Sequence, residues 1–134
     1  MEEVKWSKEF ETGIHWIDTQ HKSIINRIDK MNKAIDNNRG EIEVDKMLVY
    51  LDEYTKSHFT MEEEYMKKYN YPEQNFHEEQ HRDFVKSFED IKRSARNSRP
   101  ILKDMQYELW QYFRYHITII DGAFARFLKS KKAT

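Results

Sequence analysis

Apolar residues recur at alternating steps of three and four along almost the whole chain of 134 residues, which is the spacing of one face of an α-helix. Three breaks interrupt this pattern: Gly40, residues 69–72 (YNYP) and residues 97–100 (NSRP). Pro72 and Pro100 suit the first turn of a helix, and Gly40 suits a C-terminal helix cap. Four helices joined by short loops are typical of an all-α, up-down-up-down four-helix bundle, which is the fold that the sequence predicts.

Each predicted helix carries one stripe of residues that is expected to face the core. In the first helix the stripe consists of Ile17, His21, Ile24, Ile28, Met31 and Ile35. In the second it consists of Val44, Leu48, Leu51, Thr55, His58, Glu62, Tyr65 and Tyr69. The third stripe is His77, His81, Phe84, Phe88, Ile91 and Ala95, and the fourth is Leu102, Gln106, Leu109, Phe113, His116, Ile120, Ala123 and Phe127.

The length of the chain is that of one domain, which we expect over residues 1–134. The four-helix bundle is expected over residues 17–130, preceded by an irregular N-terminal arm over residues 1–16. This arm has enough apolar surface to fold back on the bundle, in Trp6, Phe10, Ile14 and Trp16.

Composition excludes several classes of function. Lys and Arg number 23 against 24 Asp and Glu, a net charge of −1 without a basic cluster, which argues against nucleic-acid binding. The absence of cysteine excludes disulfides, iron–sulfur clusters and thiolate zinc sites, and leaves His, Asp and Glu as the strong metal ligands. Neither a signal peptide nor an apolar run of membrane-spanning length is evident, so the cytoplasm is the expected location.

Six stripe positions carry polar residues where Leu or Phe would normally pack: His21, His58, Glu62, His77, His81 and His116. A single histidine on an apolar face is usually a core residue with a hydrogen-bond partner. Burying six such groups in one layer would cost several kcal/mol for each poorly satisfied group, roughly the penalty for an unpartnered polar or charged side chain. A bound metal removes that penalty, so the set predicts a metal site.

The positions of the loops predict that these side chains lie at one depth in the bundle. His21 lies 19 residues before Gly40 and His58 lies 18 residues after it, so two antiparallel helices bring them level. A similar symmetry about the third break relates His81 and His116. Two pairs in the set are spaced by four residues, and the side chains of each pair can therefore reach one ion.

For Asp121, the spacing leaves open whether the residue belongs to the predicted site. It follows His116 by five residues, a rotation of about 140° on an ideal helix. It can reach the layer only where the helix is locally distorted, for example by a π-bulge, or where Ile120 and Asp121 straddle the stripe. Five imidazoles with two carboxylates exceed the needs of one tetrahedral zinc and suit two adjacent six-coordinate ions. The sulfur-free, nitrogen-rich set favours iron over manganese or a zinc pair.

The order of these residues resembles the hemerythrin family, and within it the single-domain bacteriohemerythrins. The resemblance covers nearly the whole chain and rests on the motifs IDTQHK at 17–22, HFTME at 58–62, HEEQH at 77–81 and HITIID at 116–121. It implies two iron ions joined by an oxo or hydroxo bridge. It also implies that three histidines bind one iron, two bind the other and both carboxylates bridge the pair. The three are His77, His81 and His116, the two are His21 and His58, and the bridging carboxylates are Glu62 and Asp121.

The resemblance further implies that dioxygen binds reversibly at the iron with two histidines. A dry pocket is expected beside that iron, lined by Ile24, Phe59, Phe113 and Ile117, although the same residues also suit ordinary core packing. The chain departs from the family at Tyr112-Phe113, where Trp-Leu is frequent, and at Phe124, where tyrosine is common. We expect Phe113 to narrow the pocket and Tyr112 to add a hydroxyl group near it.

The leading expectation is therefore a non-enzymatic protein that stores, delivers or scavenges dioxygen. One alternative is an oxygen or redox sensor, which would require a separate protein partner. Another is a di-iron enzyme with peroxidase or nitric-oxide-handling activity, although five histidines to two carboxylates is unlike the carboxylate-rich di-iron oxygenases. Iron storage is disfavoured because a site built from four helices would release its metal slowly. We expect a monomer or a small oligomer.

Overall fold

The computed structural model describes residues 4–97 and 101–132. Over these residues it is an all-α four-helix bundle without strands. A short 3-10 turn at Lys8–Phe10 precedes the first bundle helix, α1 (His15–Asp36). The second bundle helix is continuous but has three parts, α2 (Gly40–Tyr54), a π-helical segment (Thr55–Phe59) and α3 (Thr60–Lys68).

The third and fourth bundle helices complete the structure. The third is α4 (Gln74–Asn97), which has no interruption. The fourth again has three parts, α5 (Ile101–Tyr115), a π-helical segment (His116–Ile120) and α6 (Asp121–Ser130). Among the described residues, no helix combines the length and the apolar character needed to cross a membrane.

The turns between helices differ in detail from the prediction. The prediction that Gly40 caps the first helix is wrong, because Gly40 is the first residue of α2. Asn38 adopts the left-handed conformation in this turn, with φ of 60°, and asparagine tolerates that region better than most residues. Pro72 lies in the turn before Gln74 rather than in the first turn of α4. Pro100 lies outside the described residues.

The predicted core stripe of α1 is confirmed, since all six of its members are buried. In the fourth bundle helix the stripe moves by one residue after the π-helical segment. The predicted Ala123 and Phe127 are only partly buried, whereas Phe124 and Leu128 are fully buried. A π-helical turn contains one residue more than an α-helical turn, so the buried face resumes one position later.

The second bundle helix also departs from its predicted stripe, before its π-helical segment as well as after it. The predicted members Leu48, Thr55, Tyr65 and Tyr69 are only partly buried. The residues that fill the core beside the correctly predicted ones are Met47, Tyr54, Phe59 and Met66. The predicted members Ala95 and Leu102 lie outside the side chains that the structure describes.

The buried apolar residues form two clusters, one on each side of the layer of polar side chains. On α1, Ile17 belongs to the smaller cluster and Ile24 to the larger one, with His21 between them. On the second bundle helix, Phe59 belongs to the larger cluster and Met66 to the smaller. The polar layer is therefore enclosed by apolar packing above and below.

The N-terminal arm packs on the bundle, as its apolar residues predicted. Phe10 is buried in the larger cluster and Ile14 in the smaller one. The Asp18 carboxylate accepts hydrogen bonds from the backbone N–H of Thr12 at 2.9 Å, the Thr12 hydroxyl at 2.6 Å and the backbone N–H of Gly13 at 3.1 Å. These bonds hold the arm against the first turn of α1.

Candidate metal centre

Seven polar side chains meet in one layer inside the bundle. They are the seven metal ligands expected from the sequence and the resemblance: His21, His58, Glu62, His77, His81, His116 and Asp121. None of them is more than 2% exposed. Their ligand atoms form two groups, each within 4.8 Å, one of Glu62, His77, His81, His116 and Asp121, the other of His21, His58 and Asp121. Asp121 is common to both groups.

The Asp121 carboxylate lies between the two groups of histidines. Its Oδ2 atom is 2.7 Å from His21 Nε2 and 3.5 Å from His58 Nε2. Its Oδ1 atom is 2.9 Å from His77 Nε2 and 3.1 Å from His116 Nε2. One oxygen therefore faces each group, which is the arrangement that a bridging carboxylate requires.

The π-helical segment His116–Ile120 explains how Asp121 reaches the layer. Five residues of an ideal α-helix would rotate Asp121 by about 140° from His116. The wider turn reduces that rotation, so both side chains are buried on the same face. Of the two routes that the sequence left open, the structure contains the local distortion.

Glu62 also contacts histidines of both groups. Its Oε1 atom is 3.2 Å from His58 Nε2, 3.1 Å from His81 Nε2 and 3.6 Å from His77 Nε2. Every histidine of the layer thus directs its Nε2 atom towards Glu62, Asp121 or both.

The opposite ring nitrogens of three histidines contact outer partners. His58 Nδ1 contacts the side-chain oxygen of Gln20. His81 Nδ1 is 3.4 Å from Glu63 Oε1. An amide oxygen and a carboxylate can only accept a hydrogen bond, so each Nδ1 carries the proton and donates it. In the neutral imidazole, each Nε2 then carries the lone pair that a metal cation would bind at the centre of the layer.

The third outer contact involves Tyr112, whose hydroxyl is 3.3 Å from His116 Nδ1. The Tyr112 ring also stacks on the His116 ring at 5.3 Å between centroids. The Tyr112 hydroxyl, which the sequence placed near the dioxygen pocket, thus lies beside a histidine of the group of three. Burial and the charges of Asp121 and Glu62 raise the pKa of Tyr112, so its hydroxyl keeps its proton.

Electrostatics show that the layer needs positive charge. Burial disfavours the imidazolium of His58, but Glu62 and Asp121 outweigh that effect and raise its pKa to about 9. The same two carboxylates overcome burial at His77 and raise its pKa to about 10. Burial and repulsion from Asp121 act to raise the pKa of Glu62. Attraction and hydrogen bonding from His58 and His77 outweigh these effects, so the pKa of Glu62 is lowered. Protons or metal cations can balance the two carboxylates, and a metal ion would displace the protons on binding.

Unpartnered atoms show that the donor set fits metal cations. Several ligand atoms are buried without a hydrogen bond, namely His58 Nε2, His77 Nε2, His116 Nε2, Glu62 Oε2 and Asp121 Oδ1. Some lie close to a carboxylate oxygen, but their geometry is not that of a hydrogen bond. Buried polar atoms that converge without hydrogen bonding are typical of metal ligands.

The four residues expected to line a dioxygen pocket are all buried in the larger apolar cluster: Ile24, Phe59, Phe113 and Ile117. Phe59 was expected beside His58, and its ring centroid is 6.0 Å from that of His58. It packs more closely on His81, with centroids 3.8 Å apart and the planes at 4°. Phe59 therefore shields both groups of histidines.

Sequence reasoning missed three residues around the layer. Glu63 is not on a predicted stripe, but its side chain is only 33% exposed and contacts His81. Gln20 is also outside the predicted stripe, although it belongs to the IDTQHK motif, and it contacts His58. Tyr54 stacks on His58 with ring centroids 4.7 Å apart and was missed because the predicted stripe placed Thr55 in the core. The spacing of four residues between Tyr54 and His58 was the available signal.

Comparison with known families agrees with this geometry. The description "Hemerythrin HHE cation binding domain" matches residues 12–128, a span that contains all seven polar side chains of the layer. The chain belongs to the hemerythrin family. The hemerythrin fold of this chain is thus a cation-binding domain, and its seven buried donors are the candidate ligands.

Bacteriohemerythrins are among the similar proteins. The bacteriohemerythrin of Clostridium acetobutylicum is 29% identical over 115 residues, which cover 81% of this chain and 80% of that protein. That of Stenotrophomonas maltophilia is 27% identical over 125 residues, or 93% of this chain and 81% of that protein. That of Pseudomonas aeruginosa is 30% identical over 86 residues, or 64% of this chain and 56% of that protein.

Proposed function

We propose that this hemerythrin domain holds two iron ions and binds dioxygen reversibly, for storage, delivery or scavenging. The observation that carries the proposal is the position of Asp121, whose two oxygens face two separate groups of histidines 2.7 to 3.5 Å away. A carboxylate in that position can join two cations. The sulfur-free donor set, with five imidazoles, suits iron.

The proposed ligands divide as the two groups do. His77, His81 and His116 would hold one iron, and His21 and His58 would hold the other. Glu62 and Asp121 face both groups of histidines and would be ligands common to both irons. The group of two histidines offers fewer protein ligands, which would leave room for dioxygen there.

When bound, a pair of ferrous ions would supply two electrons to dioxygen and would take them back as dioxygen leaves. The protein side chains limit competing reactions by excluding water. Ile24, Phe113 and Ile117 are at most 1% exposed, and a dry environment disfavours the protons that would release reduced oxygen as peroxide. Gln20 and Tyr112 orient His58 and His116 through their Nδ1 atoms.

A binding role is favoured over an enzymatic one by the donor set. Five neutral imidazoles and two carboxylates compensate the charge of two iron ions less than a carboxylate-rich set does. This disfavours the highly oxidised states that oxygenases use.

The test is iron content per chain combined with visible absorption spectra. The protein would be reduced without air, exposed to air and then degassed, through several cycles. We expect two irons per chain and a charge-transfer band that appears with dioxygen and disappears on degassing. The exposed His15, replaced by alanine, is the matched control for histidine substitution and should leave both readouts unchanged.

Two other results would contradict the proposal. Two irons that oxidise once and do not recover would favour the enzyme or the redox sensor. A protein that binds no iron under reducing conditions would remove the basis of the proposed centre.

A further inference from the structure

The hydroxyl of Tyr54 is a buried polar group beside the layer that the metal ligands do not explain. Its side chain is only 6% exposed, and the hydroxyl oxygen has no hydrogen-bond partner among the described residues. Burying a hydroxyl without a partner is unfavourable, and phenylalanine would keep the same ring packing without that cost. Packing of the ring alone therefore does not account for the hydroxyl.

The surroundings of the Tyr54 ring place it at the proposed dioxygen pocket. The ring stacks on His58 and makes edge contacts with Phe113 at 5.7 Å and Phe59 at 5.9 Å between centroids. His58 belongs to the group with two histidines, and the two phenylalanines are residues of the expected pocket. Tyr54 is thus a polar residue in an otherwise apolar lining.

Two neighbouring tyrosines differ from Tyr54 because their hydroxyl groups have partners. The Tyr50 hydroxyl is paired with the Ser23 hydroxyl, and the Tyr112 hydroxyl lies 3.3 Å from His116 Nδ1. A phenol is protonated near neutral pH and can donate one hydrogen bond. The Tyr54 donor is available for a molecule that enters the pocket.

We propose that the Tyr54 hydroxyl donates a hydrogen bond to a small ligand beside His58, one whose outer atom carries negative charge, such as azide or dioxygen that has taken up electrons. This inference rests on the proposed iron centre. It assigns to Tyr54 the selection of ligands that gain negative charge on binding, because a neutral ligand would profit less from the donor.

The experiment uses the iron-loaded, oxidised protein and azide as the probe. Azide affinity would be measured by visible titration for the wild type, for Tyr54→Phe and for Tyr50→Phe. Tyr50 is the matched control because it lies one helical turn away, its ring is 6.1 Å from that of Tyr54, and its hydroxyl is already paired. Iron content and thermal unfolding would be recorded for each protein.

We expect Tyr54→Phe to retain its iron and its thermal stability and to bind azide about tenfold more weakly, as the loss of a hydrogen bond to a charged group implies. Tyr50→Phe should stay within about twofold of the wild type. An unchanged or tighter azide affinity in Tyr54→Phe would overturn the proposal, and the hydroxyl would then bind only water.

Infrared spectra of bound azide test for the hydrogen bond in the wild type itself. The frequency of the antisymmetric azide stretch in the wild type should shift between H₂O and D₂O. The loss of that shift in Tyr54→Phe would assign the hydrogen bond to Tyr54. A wild-type stretch that is insensitive to D₂O contradicts the hydrogen bond even if the variant folds poorly.

The two proposals fail separately. If the wild type binds dioxygen reversibly while Tyr54→Phe matches it towards azide, the role of Tyr54 is wrong and the proposed function stands. If air oxidises the wild type irreversibly while Tyr54→Phe weakens azide binding, the proposed function is wrong and the role of Tyr54 stands.

Discussion

The uninterrupted and the interrupted helices of the bundle contribute different groups to the polar layer. The uninterrupted α1 and α4 provide histidines only. Each helix with a π-helical segment provides a histidine and a carboxylate, His58 with Glu62 and His116 with Asp121. The two carboxylates that contact both groups of histidines therefore come from the two interrupted helices.

The geometry of the turn explains this difference. Four buried residues of the second bundle helix follow one another at steps of four: Tyr54, His58, Glu62 and Met66. On an ideal α-helix each such step rotates the side chain by about 40°, so the last would point well away from the first. A π-helical segment takes up part of that rotation and keeps them on one face. The bundle thus uses the wider turns to aim its carboxylates.

Inserting one alanine between Thr118 and Ile119 tests the register that the π-helical segment His116–Ile120 sets. If the segment keeps its present turn, the added residue rotates Asp121 by about 100° away from the layer and moves Phe124 and Leu128 out of the core. We expect less than one iron per chain and a loss of unfolding free energy of about 3 to 5 kcal/mol, measured by metal analysis and urea unfolding. The control Thr118→Ala keeps the length and should keep two irons. Retention of both irons by the insertion variant would show that the single wider turn does not fix the position of Asp121.

Glu62→Ala tests the carboxylate of the other interrupted helix. It leaves the histidines with one carboxylate and excess positive charge once metal enters, so we expect both irons to be lost. Glu64→Ala is the matched control, since Glu64 is exposed on the same helix and should keep two irons. Metal analysis compares the iron content per chain of the two variants. Full occupancy in Glu62→Ala would show that Asp121 alone suffices as the bridge.

His58→Ala and His77→Ala compare an interrupted with an uninterrupted helix. We expect His58→Ala to weaken or remove the iron proposed to bind dioxygen, and His77→Ala to damage the other iron. Iron content and the dioxygen-dependent absorption band distinguish the two outcomes. If both variants kept two irons and an unchanged spectrum, the proposed division of ligands would be wrong.

Glu63→Gln should have the smallest effect of the four. The glutamine side chain can still accept the hydrogen bond from His81, but the charge that strengthens this ligand is lost. We expect iron to dissociate towards a chelator about tenfold faster than from the wild type. The exposed Glu64, replaced by glutamine, controls for surface charge. Equal rates in both variants would remove Glu63 from the site.

Much of the fold could be predicted because α1 obeys a simple local rule. Its apolar spacing and its single polar stripe residue, His21, identify both the buried face and the layer. The convergence of the seven polar side chains also followed from spacing and resemblance, and the structure contains it. Their roles as ligands remain predictions that the variants above test.

The exchange of Thr55 for Tyr54 in the core illustrates what could not be predicted. The buried residues of α2 follow Val44 at steps of three, four and three, whereas the predicted stripe steps by four, three and four, and both spacings fit a regular helix. Gly40 is not the cap because Asn38 adopts the left-handed conformation two residues earlier. Both errors concern a shift of one or two residues that local propensity does not resolve.

The sequence by itself determined the helices, the level of the polar layer and the identity of its donors, because helical periodicity and unusual buried polar residues are local signals. Only the tertiary structure decided the π-helical turns, the outer contacts of Gln20 and Glu63 with the histidines, and the unpartnered hydroxyl of Tyr54. A π-helical turn differs from an α-helical turn by one residue, and its cost is offset by packing across helices. The packing contacts between helices join residues far apart in the chain. Their stabilisation of the π-helical turns therefore appears only when all four helices are assembled.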